Sequence, residues 1–174
     1  MSGIVAYPSE TVVYTDGGCD LKDRGVGSWA YLAILPDGSM EECCDGMWGT
    51  TNNRMEMMAV LKAFERMELG EPLVIVSDSE YVIKGLTLWH PAWIERGWKT
   101  YEGKPVKNRD LWERLIALLG LHMTKFKHVK GHMGDWGNER VDTLCTDTIK
   151  RLRSERLAGH GFEIDPAGPS FLAA

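Results

Sequence analysis

The hydrophobic pattern first changes period near Thr50, and this switch limits the folds open to the chain more than any other feature. Before it, the apolar run Thr11-Val12-Val13-Tyr14-Thr15 leads into Asp16-Gly17-Gly18, which reads as a strand followed by a turn. Residues 28–35 and 39–48 flank Pro36-Asp37-Gly38, a hairpin signal between two further strands. From Thr50 to Leu69 the residues Met55, Met58, Ala59, Ala63 and Met67 recur at helical spacing, and Gly70 and Pro72 stop the run. Leu73 to Val76 is a short, fully apolar strand ending at Ser77-Asp78, and helix-like Glu80 to Leu88 follows.

Residues 89–106 are punctuated by Trp and Gly and hold short helical stretches, and an amphipathic helix covers about 108–119. Met123 to Val129 reads as a last strand, Gly131 to Gly137 as a flexible loop, and Asn138 to about Leu157 as a final helix. Early hairpins followed by βα units predict an α/β fold, a mixed sheet with helices packed on it. A length of 174 residues suits one domain, expected over residues 1–158, with the Gly/Pro-rich residues 159–174 as a mobile tail.

The sequence carries no run near the ~18 apolar residues of a membrane span and no basic-then-apolar leader, so a cytoplasmic protein without membrane contact is expected. Cys19, Cys43, Cys44 and Cys145 form no CxxC pair and are expected as free thiols. The net charge of −5 argues against a nucleic-acid partner. That objection weakens if several acids gather around bound cations, which would reverse the local field.

Four acids are candidates for such a gathering. Asp16 and Asp78 each stand at the end of an apolar strand, where open α/β sheets place their ligands. On neighbouring strands, ~4.8 Å apart, the two carboxylates can share one cation; taken singly, each is as readily a turn former or helix cap. Glu56 lies near the start of the long helix, where Asn53-x-x-Glu56 also satisfies the capping-box pattern. Asp142, near the start of the last helix, would alone be an ordinary surface residue. His132, in Gly131-His132-Met133-Gly134, is a histidine that flanking glycines leave free to swing. Spacing does not join these residues; only a fold can.

Other chemistries fail their own tests. His128 and His132 are four apart, but the strand-to-loop context breaks the helical zinc motif. Gly25-x-Gly27-x-x-Ala30 leads into a strand where a dinucleotide fingerprint needs a helix, and no P-loop motif occurs. Two basic segments oppose the acidic total: Lys125, Lys127 and Lys130, and then Arg96, Lys99, Lys104, Lys107 and Arg109 interleaved with Trp98 and Tyr101. Cations with aromatics suit a phosphate backbone and sugar faces, although a solvated loop has the same composition.

Taken in order, the segments resemble the type 1 ribonuclease H family in its bacterial form, which carries a basic protrusion. The matching stretches are Tyr14-Thr15-Asp16-Gly17-Gly18-Cys19, Thr50-Thr51-Asn52-Asn53-Arg54-Met55-Glu56 and Ser77-Asp78-Ser79-Glu80-Tyr81-Val82. Arg96-Gly97-Trp98-Lys99, Pro105-Val106-Lys107-Asn108, Val129-Lys130-Gly131-His132 and Asn138-Glu139-Arg140-x-Asp142 complete the set, which spans roughly residues 10 to 148. The resemblance implies a ribonuclease H-like fold: a five-stranded mixed sheet, strands one to three antiparallel, with helices on both faces. It implies an endonuclease that hydrolyses the RNA strand of RNA–DNA hybrids, acts as a monomer and leaves 5′-phosphate and 3′-hydroxyl ends. Two Mg²⁺ ions, for which Mn²⁺ can substitute, would lie ~3.5–4 Å apart. Asp16 would bridge them, Glu56, Asp78 and Asp142 would complete the site, and His132 would assist proton transfer or product departure.

The resemblance also implies substrate contacts. Glu56 and the backbone near Gly17 and Gly18 would read the RNA 2′-hydroxyl, and Asn53 would enter the minor groove. Thr51 and Asn52 resemble a pocket for a DNA-strand phosphate, and Trp89, Trp93 and Trp98 with Lys99 resemble the protrusion. Four positions depart from the pattern. Glu80 replaces a groove-contacting Gln, and Ile94 and Glu95 stand where lysines are common, which predicts weaker, more salt-sensitive hybrid binding. His128 replaces an aromatic core residue and is expected as a packed neutral histidine. The competing readings are another nuclease of the same broad fold, such as an integrase, a resolvase or an exonuclease, and a non-catalytic hybrid-binding module.

Overall fold

The computed structural model describes residues 10–22, 25–131 and 134–158. A five-stranded sheet in the order β3-β2-β1-β4-β5 forms its centre. Strands β1 (Thr11–Asp20), β2 (Val26–Ile34) and β3 (Met40–Met47) form an antiparallel meander. Strands β4 (Pro72–Ser77) and β5 (Met123–His128) add to it in parallel, β4 directly beside β1. The helices are α1 (Asn52–Arg66), α2 (Glu80–Lys84), α3 (His90–Glu95), α4 (Arg109–Leu119) and α5 (Trp136–Leu157), with one π-helical turn over Gly85–Trp89.

Alternation along the strands sends successive side chains to opposite faces and so builds two cores. Val13, Leu73 and Ile75 face one side, where they pack with Met55, Ala59 and Phe64 of α1 and Leu111 and Leu115 of α4. Tyr14, Leu32 and Val76 face the other, where Val141 and Cys145 of α5 cover them. Helix α5 presents Val141, Cys145, Thr148 and Leu152 as one buried stripe at helical spacing, which fixes it across β1, β2 and β3.

The structure corrects the reading of Asp16-Gly17-Gly18 as a turn. Strand β1 continues to Asp20, with pairs running unbroken from Val12↔Ile34 to Asp20↔Val26. Gly17 serves a close approach instead. A Cβ there would lie 2.1 Å from the Met55 carbonyl carbon and 2.2 Å from the Glu56 nitrogen, so only glycine lets α1 rest on the strand. The true turn comes at Gly25, whose φ of +68° suits glycine.

Helix α1 also begins differently from the capping-box reading. Thr51, not Asn53, is the N-cap, its hydroxyl accepting from the Arg54 N–H at 3.4 Å, and Glu56 lies beyond the first turn. The helical run after Ser79 is broken by the π turn, where the fully buried indole of Trp112 fills the space a Gly85 side chain would need. Trp112 in turn packs Tyr81 and Trp93, each with ring centroids 5.3 Å away, and Trp93 meets Trp89 at 5.8 Å.

Candidate active site

The register between β1 and β4 brings the first two carboxylates together. Tyr14 pairs with Val76, and the same offset continued for two residues sets Asp16 level with Asp78, just past the end of β4. Asp16 therefore sits in mid-strand rather than at a strand end. Two glycines let other segments close on this pair. Gly17 admits α1, which carries Glu56, and Gly131 admits the segment after β5, because a Cβ at 131 would lie 2.7 Å from Asp78 Oδ2. The Val129 N–H donates to the Ser77 carbonyl at 3.1 Å and ties that segment to β4.

Helix α5 delivers Asp142. One turn further along, the Cys145 thiol donates to the Asp16 carbonyl at 3.5 Å, and the Ser28 hydroxyl donates to the Cys145 carbonyl at 2.8 Å. Glu56 is held from the other side: the Ser79 hydroxyl donates to its Oε2 at 2.5 Å. All four acids are partly buried.

Their charges act on one another. Burial, followed by the charge of Asp78 and then those of Asp142 and Glu56, raises the Asp16 carboxyl to about 6, against a stabilising hydrogen bond from the Gly17 N–H. Burial also raises Glu56, opposed by the Ser79 hydrogen bond and reinforced by Asp78. Such a group of like charges accepts a cation readily. Among the described residues, no group of three or more His, Cys, Asp or Glu side chains stands arranged to hold a metal ion by itself. An open set of hard carboxylate oxygens still fits Mg²⁺ or Mn²⁺, because Mg²⁺ keeps several waters and takes only one or two carboxylates plus phosphate oxygens.

The substrate-side candidates divide into two groups. Thr51, Asn52 and Asn53 are exposed at the start of α1, on the helix that carries Glu56. Trp89, Trp93 and Trp98 are partly buried; the first two belong to the aromatic cluster around Trp112, and the guanidinium of Arg109 lies 5.1 Å over the Trp98 ring. Lys99 is exposed and bridges to Pro105 in the same segment. Arg54 connects the two groups. It forms a bidentate pair with Asp110 at 2.8 and 3.0 Å and donates to Asn108 at 3.3 Å, and the Asn108 amide donates to the Tyr81 hydroxyl at 3.3 Å.

The RNase H family model matches residues 8–150. The chain belongs to the RNase H family. The Ribonuclease H of Pseudomonas paraeruginosa (strain PA7) is 43% identical over 143 residues, 82% of this chain and 95% of that protein. The Ribonuclease HI of Xylella fastidiosa (strain 9a5c) is 47% identical over 141 residues, 81% of this chain and 93% of its own. Among solved structures, LC9-RNase H1, called a type 1 RNase H with the type 2 active-site motif, superposes with a TM-score of 0.71 at 27% identity. That match covers 83% of this chain and 74% of the other. A foamy viral protease-reverse transcriptase solved in complex with RNA/DNA hybrid shares the fold, with a TM-score of 0.72 at 22% identity over 87% of this chain and 21% of that one.

Within this RNase H fold, two departures noted in the sequence take a different form. His128 is exposed, not packed, with its Nε2 3.2 Å from the Asp78 carbonyl oxygen; the buried histidine is His122, stacked on Phe64 with Nε2 3.0 Å from the Phe64 carbonyl oxygen. Glu80 is exposed and pairs with Lys84, which holds its carboxyl below the usual range. His132 and residues 159–174 lie outside the described residues. Sequence reasoning assigned no role to Ser79 or Arg54. Their signal was position, since Ser79 directly follows Asp78 and Arg54 stands two residues before Glu56.

Proposed function

We propose that this RNase H family chain is an endoribonuclease that hydrolyses the RNA strand of RNA–DNA hybrids with two divalent metal ions, leaving 5′-phosphate and 3′-hydroxyl ends. The observation that carries this reading is the position of Asp16, half-buried at the centre of the sheet, its carboxyl raised by burial and then by the charges of Asp78, Asp142 and Glu56. Relatives 43–47% identical over four-fifths of the chain bear the name ribonuclease H, and a fold neighbour was solved with an RNA/DNA hybrid.

Asp16, Glu56, Asp78 and Asp142 would hold the ions, Asp16 as the shared ligand. The chemistry supplied by divalent ions, once bound, is activation of the attacking water and neutralisation of charge on the leaving oxygen. The chain's own contribution is placement. The β1–β4 register sets Asp16 and Asp78, Gly17 seats Glu56 against them, and Cys145 fixes α5 at the Asp16 carbonyl. The water oxygen would join phosphorus and release a proton to solvent, the bond from phosphorus to the RNA 3′ oxygen would break, and that oxygen would take up a proton. His132 is proposed to assist this proton transfer or the departure of product.

Glu56 and the backbone at Gly17 and Gly18 would read the 2′-hydroxyl, Asn53 the minor groove, and Thr51 and Asn52 a DNA-strand phosphate. Trp98 and Lys99, supported by Trp89 and Trp93, would face the hybrid from the protrusion. Residues 1–158 would act as the catalytic unit, in the cytoplasm and as a monomer. Among the described residues no helix is long and apolar enough to cross a membrane.

The protrusion leads to a prediction whose salt term reverses the one drawn from the sequence. Lys104 pairs with Glu102 and Arg109 with Glu113, so part of the positive charge is already engaged. Fewer phosphate contacts mean weaker binding, but also fewer released counterions and a shallower salt dependence. The pair Ile94→Lys and Glu95→Lys should tighten hybrid binding and steepen the log–log salt slope by up to about 1.8. Fluorescence anisotropy over about 50–200 mM salt, in an inactive Asp16→Asn background, measures this; an unchanged slope would count against the protrusion as a phosphate contact.

The function itself is tested by metal dependence. Hybrid cleavage should vanish with EDTA and return with Mg²⁺ or Mn²⁺. Hybrid binding with no cleavage under any divalent ion would favour the non-catalytic reading.

A further inference from the structure

We propose that Ser79 is a positioning residue that sets the Glu56 carboxylate. The assignment rests on the reading of Glu56 as a metal ligand and deepens it.

Ser79 is 5% exposed, and its hydroxyl both accepts and donates a hydrogen bond. Its Oγ accepts the Val82 N–H at 3.3 Å as the N-cap of α2, and its own N–H donates to Ser77 Oγ at 3.2 Å. A hydroxyl carries one proton and two lone pairs. With the cap bond occupying a lone pair and fixing the rotamer, the single proton points to Glu56 Oε2 at 2.5 Å. The bond joins two elements distant in sequence: α1, which carries Glu56, and the turn after β4, which carries Asp78.

The carboxylate needs this restraint. Glu56 is a long side chain facing the like charge of Asp78, and without a donor it gains by swinging away toward water. The Ser79 hydroxyl commits Oε2 and leaves Oε1 available for a cation or a substrate hydroxyl. Donors of this kind, which orient a ligating carboxylate from behind, typically change metal affinity or activity 10–100-fold when removed.

The test separates the cap from the bond to Glu56. Glycine is nearly as good an N-cap as serine but has no proton to give Glu56, whereas threonine keeps both functions. Mg²⁺ is titrated into wild type, Ser79→Gly and Ser79→Thr while the backbone amide of Gly17 is followed by NMR. The midpoint of thermal unfolding without metal and the kcat and KM for hybrid are measured alongside.

Ser79→Gly is expected to bind Mg²⁺ about 10–100-fold more weakly and to lose kcat with KM for hybrid unchanged, while Ser79→Thr stays near wild type. Wild-type Mg²⁺ affinity in Ser79→Gly would overturn the assignment. So would an equal loss in a folded Ser79→Thr, since the hydroxyl would then not be the operative group. Wild-type protein that binds no Mg²⁺ at the cluster would overturn the metal-site reading itself and the Ser79 assignment with it. That outcome is distinct from wild-type binding left untouched by the substitution.

Discussion

Asp16→Asn is expected to abolish hybrid cleavage and, in the absence of metal, to make the protein more stable. Metal ions contribute several kcal/mol of transition-state charge stabilisation, so losing the ligand proposed to be shared should lower kcat roughly a thousand-fold or more. Hybrid binding should persist, because Thr51, Asn52, Asn53 and the protrusion are untouched. The stability gain follows from the raised carboxyl, moved from 3.8 to about 6 by burial and by the three neighbouring acids. The folded state binds this proton more tightly than the unfolded one. Between roughly pH 4 and 6 the wild type therefore loses stability as pH rises, and above 6 the full cost of the buried charge is present. A shift of some two units corresponds to about 3 kcal/mol at most. Asparagine keeps the shape without the charge. Urea unfolding in EDTA at pH 7.5 should show the variant above wild type, and at pH 4 the difference should shrink. Equal stability at pH 7.5, or substantial residual cleavage, would contradict the account.

Gly17→Ala should be among the most damaging small changes open to the described residues. The added Cβ meets the Met55 carbonyl carbon at 2.1 Å, the Glu56 nitrogen at 2.2 Å and the Met55 oxygen at 2.5 Å. These are backbone atoms of α1, so no flexible side chain can give way; the helix itself must move by about 1 Å or more. Overpacking of this kind costs about 3 kcal/mol. The displacement falls on Glu56, and misplacement of a catalytic group by about 1 Å can cost a hundred-fold in rate. Gly18→Ala is the stability control, since its Cβ would find only Ile149 Cδ1 at 4.0 Å. Urea unfolding of the two variants should separate them clearly. Comparable stability would mean that the close approach of β1 and α1 does not determine the fold at this point.

The layout of strands and long helices was legible because hydrophobic period is a local property. Asp16 and Asp78 were each legible as an acid following an apolar strand, but only the family resemblance made them neighbours, because no local pattern says which strands pair. The extension of β1 to Asp20 was not legible. Asp-Gly-Gly carries the local chemistry of a turn, and the reason for Gly17 lies 38 residues away in α1. The capping pattern misled in the same way, since Thr51 and Asn53 are both acceptable N-caps by residue type, and the helix starts after Thr51. His128 was expected inside because the family pattern has an aromatic core residue there, but β5 is an edge strand and its end is exposed. Ser79 stood in a recognised stretch, yet a serine after a strand reads as a cap, and the cap uses only its lone pair. Its proton matters only once α1 brings Glu56 alongside.

Cleavage of the RNA strand of a hybrid is the chemistry proposed for the carboxylate cluster. The most direct test incubates end-labelled RNA–DNA hybrid, RNA duplex and DNA duplex with the protein in Mg²⁺ and in Mn²⁺, and then maps the product ends. The account predicts cleavage of the RNA strand in the hybrid alone, with 5′-phosphate and 3′-hydroxyl termini and none by Asp16→Asn. Cleavage of duplex DNA at a comparable rate, products with 3′-phosphate ends, or cleavage that survives EDTA would contradict it.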